Sequence, residues 1–153
     1  MGHAPALPAF LSPDMENPQF TLDYLVMYYD TDCGGVVHNL AYLRWVEECR
    51  SKMGLHIGID FAAMAKGGQH LVLVRHEVDY HRPAFLANAM KIQGRLEKVE
   101  KSSLWFAFEV RRAEDDTLCV SVRQRLALVQ MPKGRPCRIP AEWIALAANV
   151  ESA

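Results

Sequence analysis

One change of hydrophobic period governs what this chain can fold into. Between Asn39 and Met53 the apolar residues Leu40, Leu43, Val46, Cys49 and Met53 recur three or four apart, the stripe of an amphipathic helix. From His70 onward the period is two. His70 to Tyr80 reads as one strand. Met90, Ile92, Gly94 and Leu96 share one side of the next, and Leu104, Phe106, Phe108 and Val110 one side of a third. Leu118, Val120, Val122, Leu126 and Leu128 do the same in a fourth. One long helix followed by alternating strands buries its apolar residues by laying the helix on a sheet, the α+β two-layer class.

The flanking residues refine this. Asn39 is the predicted N-cap of the long helix and Gly54 its predicted stop. A short second helix is expected from Asp60 to Lys66, ended by Gly67-Gly68. Thr21 to Tyr29 is apolar or aromatic on both faces and reads as a buried first strand. The connections Arg82-Pro83, Lys101-Ser102 and Asp115-Asp116 are short, which predicts a meander of successive antiparallel strands. With the first strand this makes a sheet of about five strands, whose open edges dimerisation can close. A helical turn is expected over Ala141 to Ala148, opened by Pro140. Pro5, Pro8, Pro13 and Pro18 mark residues 1–19 as a mobile tail, leaving residues 20–150 as a single domain.

Composition excludes several classes. Lys plus Arg number 17 and Asp plus Glu 18, a net charge of −1, so there is no basic excess for nucleic acid. No apolar run approaches the ~18 residues of a membrane span, and no secretory signal pattern opens the chain. Cys33, Cys49, Cys119 and Cys137 are widely spaced and read as free thiols of a reducing cytoplasm. His70, His76 and His81 have no carboxylate or cysteine at ligand spacing, so no metal is expected. Neither GxGxxG nor a P-loop is present. Trp105 and Phe106 read as core or subunit contact, and Glu47 and Arg50 can pair across one helical turn.

The densest polar cluster is Tyr28 to Asn39, between the first strand and the long helix. Asp32 precedes Gly34-Gly35, which permits positive φ and close ligand approach. The first N–H groups of the helix lack intrahelical partners and carry the positive end of its dipole. A carboxylate beside such a donor is the minimum for acyl transfer. Asp-x-Asp before two glycines is also ordinary turn chemistry. The residues alone leave both readings of Asp32 open, with Asp30 read as a turn residue.

The run Tyr28-Tyr29-Asp30-Thr31-Asp32-Cys33-Gly34-Gly35-Val36-Val37-His38-Asn39-Leu40-Ala41-Tyr42, with Glu47 and Arg50 beyond, resembles the signature of the hotdog-fold 4-hydroxybenzoyl-CoA thioesterase family, and most of all its YbgC-like acyl-CoA thioesterases. With the Arg82-Pro83-Ala84 turn, the resemblance spans about residues 20 to 132. It implies a hotdog fold, a long helix wrapped by an antiparallel sheet, assembled as a homodimer or homotetramer with active sites at the subunit interface. It implies an acyl-CoA substrate and no separate cofactor, coenzyme A being part of the substrate. Asp32 corresponds to the catalytic nucleophile or general base, and the Asn39 N–H to the donor for the thioester oxygen. Tyr28, Gly35, Val36 and His38 fall at substrate-binding positions, with Lys98, Lys101 and Arg82 as candidate phosphate contacts. The chain departs from the pattern at one point. YbgC-like members read Val-Val-Tyr-His, whereas here His38 stands at the aromatic position and Asn39 at the histidine. That favours the backbone N–H over the side chain as the acting group. The other function compatible with these residues is a non-catalytic module that binds acyl-CoA or acyl-carrier thioesters.

Overall fold

A computed structural model of the chain describes residues 19–145. The expected tail, save residue 19, and positions 146–148 of the expected C-terminal turn lie outside the described residues; 141–145 are helical. Five strands form the main sheet: β1 (Phe20–Leu25), β2 (Gln69–Tyr80), β3 (Ala89–Val99), β4 (Ser103–Arg112) and β5 (Leu118–Gln130), in the order β1-β3-β4-β5-β2. A two-residue β6 (Arg135–Pro136) adds to β5. All pairings are antiparallel. Helix α1 (Asn39–His56) lies on β1, β3 and β4, and α2 (Phe61–Lys66) on β2. This is the expected hotdog arrangement.

Four local expectations are corrected. First, the strand read over Thr21 to Tyr29 ends at Leu25, and Tyr28–Asp30 form a 3-10 turn. The Asp30 carboxylate causes this, accepting the Met27 N–H at 2.8 Å and the Tyr24 hydroxyl at 3.0 Å and so folding the chain back on itself. Second, the sheet is not a full meander. β3 is flanked by β4 on one side and, over Ala89 to Gly94, by β1 on the other, and β2 pairs with β5 instead. Residues 81–88, around Arg82-Pro83, are therefore a crossover and not a hairpin.

Third, the helix cap is His38, not Asn39. The His38 Nδ1 accepts the Leu40 N–H at 3.1 Å, an imidazole serving where Asn or Ser is usual. Leu40, at the start of the expected stripe, is 52% exposed. The buried face runs instead through Tyr42, Trp45, Val46, Cys49 and Met53. Fourth, Gly54 does not stop the helix. A Cβ there would run into the Phe61 ring, so the glycine is where α2 packs down on α1.

Trp45 and Met53 meet Phe106, Phe108, Ile92, Leu96, Leu104 and Leu128 in the core. Each such side chain, fully buried, contributes about 1.5–3 kcal/mol. The outer edge of β2 is unpaired among the described residues, and Val72, Leu73 and Val74 along it are exposed.

Candidate active site

The loop from β1 to α1 is pinned at both ends by Asp30, which is fully buried. Its carboxylate holds the 3-10 turn, with Arg44 at 3.6 Å from Oδ1, and its carbonyl accepts the His38 N–H at 2.7 Å. Between these anchors the chain makes a tight reversal. Asp32 N–H donates to the Val36 carbonyl at 2.9 Å, and Gly35 N–H to the Asp32 carbonyl at 3.1 Å. Gly35 sits at φ +78, a region that favours glycine. Val37 N–H donates to the Ala84 carbonyl, and Val36 bridges Phe85, so the crossover braces the loop from outside.

This geometry leaves Asp32 exposed at the loop tip. Its Oδ1 accepts the Gly34 N–H at 2.8 Å, and its Oδ2 takes no hydrogen bond from the described residues. At the helix start the Leu40 N–H goes to the His38 ring and the Ala41 N–H to the His38 carbonyl at 2.9 Å. The Asn39 N–H has no partner among the described residues. Asp32, Val36, Asn39, Tyr42, Tyr80 and Arg82 line one cavity of about 360 Å³, together with Val37, His81 and Pro83. An exposed aspartate and the first residue of the helix thus line the same opening.

Tyr80 and Tyr42 are members of this site that the sequence analysis missed. The Tyr80 hydroxyl donates to the Asn39 carbonyl at 3.1 Å, and its ring packs edge-on to Tyr42 at 6.0 Å. The Tyr42 hydroxyl accepts the Ala84 N–H at 3.1 Å. Burial pushes Tyr42 up to about 12 and Tyr80 upward, so both phenols stay protonated. Tyr42 stands in the quoted signature without a role assigned to it, and the sequence cue for Tyr80 was an aromatic ending an alternating strand, which is also what a core residue looks like. His81 binds Ser121 Oγ through Nε2 at 2.8 Å, and burial moves its pKa down.

Of the residues named from sequence, Asp32, Val36 and Asn39 share the cavity. Gly35 and His38 do not line it, and Tyr28 is 82% exposed on the 3-10 turn. Lys98 and Lys101 lie at the other end of the sheet. They are separated from the site by most of β3, roughly 30 Å at ~3.3 Å per residue. Lys98 is paired with Glu100 at 3.3 Å, and Lys101 lines a separate cavity with Arg138. Arg82 is the cation of one chain that lines the cavity itself. Among the described residues no group of three or more His, Cys, Asp or Glu side chains is placed to hold a metal. Likewise, none of their helices is long and apolar enough to cross a membrane.

The sequence model of the thioesterase-like superfamily matches residues 26–148. The chain belongs to this family. Membership gives it the enzyme class expected from the motif, thioester hydrolase. The chain is 28% identical over 131 residues to the acyl-CoA thioester hydrolase YbgC of Escherichia coli, covering 86% of this chain and 97% of that one. Its fold is that of a 1,4-dihydroxy-2-naphthoyl-CoA thioesterase from Synechocystis (TM-score 0.78, 19% identity, 86% and 97% of the two chains covered). A DHNA-CoA thioesterase from Staphylococcus aureus is similar at TM-score 0.78 and 20% identity, covering 87% and 91%.

Proposed function

We propose that this thioesterase-family enzyme hydrolyses acyl-CoA to a carboxylic acid and CoA, with Asp32 as the reacting carboxylate and the Asn39 N–H as the oxyanion donor. The observation that carries the reading is that Asp32 and Asn39, whose N–H has no partner among the described residues, line one cavity. The thioester oxygen accepts from Asn39 N–H, which sits at the positive end of α1. Asp32 then either adds through Oδ2 to the carbonyl carbon, expelling CoA thiolate and leaving an anhydride that water opens, or removes a proton from a water that adds instead. Thiolate is a good leaving group, so no strong acid is required, and the reaction calls on no cofactor. The side chain of Asn39 has no assigned step. Arg82, at the cavity wall, is placed to meet the phosphates.

The active unit is a homodimer or a higher homo-oligomer built on it. The open edge of β2, with exposed Val72, Leu73 and Val74, supports this. Antiparallel self-pairing of β2 about its own centre sets Tyr80 against Gln69 of the partner subunit. In that assembly the end of the sheet that carries Lys98 and Lys101 in one chain lies beside the Asp32 end of the other. Free cysteines at all four positions fit a cytoplasmic setting.

CoA release from a panel of acyl-CoA thioesters, for the wild type and Asp32→Asn, tests the reading. Loss of 10²-fold or more in kcat/KM is expected for the variant, as for a group acting in the transition state. Saturable acyl-CoA binding without turnover in the wild type would instead identify a ligand-binding module.

A further inference from the structure

Helix α1 carries a second feature that the proposed reaction leaves unused, the Glu47-x-x-Arg50 pair. Arg50 lines a separate cavity of about 210 Å³ with Ser51, Phe61, Met64, His70 and Leu71. Its side chain is only 15% exposed. Its guanidinium donates one hydrogen bond, to the buried Gln124, whose amide also meets His76 Nε2 at 3.1 Å. The facing carboxylate, Glu47, is 3.8 Å away and 70% exposed. Burial lowers the pKa of both Arg50 and His76, so the imidazole is no competing cation. A guanidinium has five N–H donors and costs free energy when desolvated without a matching anion. Here it stands on the wall of a cavity lined by Phe61, Met64 and Leu71 on one hand and by Ser51 and His70 on the other, with most of its donors uncommitted. A cavity of ~150 Å³ takes a six-carbon ring, so 210 Å³ has room for a short acyl segment and a terminal polar group.

Within one chain this cavity is too far from Asp32 to serve the same substrate. Arg50 follows Asn39 by eleven residues, about 17 Å along the helix axis. The cavity is, however, bounded by the first residues of β2, and the Asp32 cavity by its last, Tyr80. The self-pairing set out above makes these two ends neighbours across the interface.

We infer that the Arg50 cavity takes the far end of the acyl group whose thioester lies at Asp32 of the other subunit, and that it selects acyl groups ending in a carboxylate. The inference rests on the proposed thioesterase reading and its dimer. A guanidinium fork matches a carboxylate in shape and charge, and one this little exposed gains most from it.

The test compares kcat/KM for adipyl-CoA and hexanoyl-CoA, thioesters of equal carbon number with and without a terminal carboxylate. The wild type is expected to favour adipyl-CoA by about tenfold or more, the span of a charged hydrogen bond. Arg50→Met is expected to bring the ratio to about one. The ratio is taken within each variant, so a general loss of folded protein cancels. Met64→Trp fills the cavity without touching the guanidinium and is expected to depress adipyl-CoA turnover. Mixing Asp32→Asn with Met64→Trp subunits is expected to restore it, because a mixed dimer holds one site with both parts intact. Equal preference in the wild type, equal loss on both thioesters in Arg50→Met, or no recovery on mixing would overturn the inference. A wild type that hydrolyses neither thioester, or hydrolysis that survives Asp32→Asn, overturns the proposed function itself, and the inference with it.

Discussion

Two aspartates two residues apart do opposite work. Asp30 is buried, with Oδ2 holding the Met27 N–H and the Tyr24 hydroxyl and Oδ1 facing Arg44, whereas Asp32 is exposed at the loop tip. The sequence motif contains both, but only the fold separates the anchor from the reactant. Replacing Asp30 with Ala strands the Met27 N–H and removes the partner of Arg44. The expected cost is about 1–3 kcal/mol, a fall of ~2–4 °C in Tm per kcal/mol for a chain of this size, read by thermal unfolding. Thiol chemistry distinguishes sites in the same way. Cys33, next to Asp32, is exposed, whereas burial pushes Cys49 up to about 12. Alkylation followed by peptide mapping should label Cys33 in the native protein and Cys49 only after unfolding. The identity of the cap was not readable, because His38 acts through a ring nitrogen that no propensity ranks beside Asn.

The elements were legible where one period ran uninterrupted. Helix α1 was found because its buried face repeats over many turns, though not its cap or its end, and β3, β4 and β5 because one side of each carries a regular apolar row. What failed was adjacency. Nothing in Arg82-Pro83 shows that both edges of β3 are already taken, since that depends on β1, far away in sequence. Nor does the sequence show that Lys98 and Lys101, named as phosphate contacts, lie at the far end of the sheet from Asp32 within one chain. The β3–β4 turn also carries a titratable clamp. Glu100 accepts the Ser103 hydroxyl at 2.6 Å and has Lys98 and Arg125 nearby, which together hold its pKa down from 4.5 to about 2. A depressed carboxylate stabilises the fold above its ordinary range, and that contribution is lost as pH falls through the folded value. Urea unfolding between about pH 4.5 and pH 2 should therefore show a smaller pH dependence in Glu100→Gln than in the wild type.

At the scale of the molecule, the exposed apolar edge of β2 is the feature a lone chain leaves unexplained. Leu73→Lys puts a charge there without touching the core. Light scattering should report a monomer, and thioester hydrolysis should fall with it, because each proposed site draws on two chains. The family and the reaction class were visible in a short motif, whereas the Arg50 cavity was not, its residues being scattered over α1, α2, β2 and β5.

The crossover that sends β2 past β3 also sets an order of events. The hairpins β3–β4 and β4–β5 close over short turns, while β2 must wait for β5 before it has an edge to join. Tyr80, which holds the Asn39 carbonyl, belongs to that late strand. A refolding chain thus acquires most of its core before it acquires a working site, and recovery of activity trails recovery of structure.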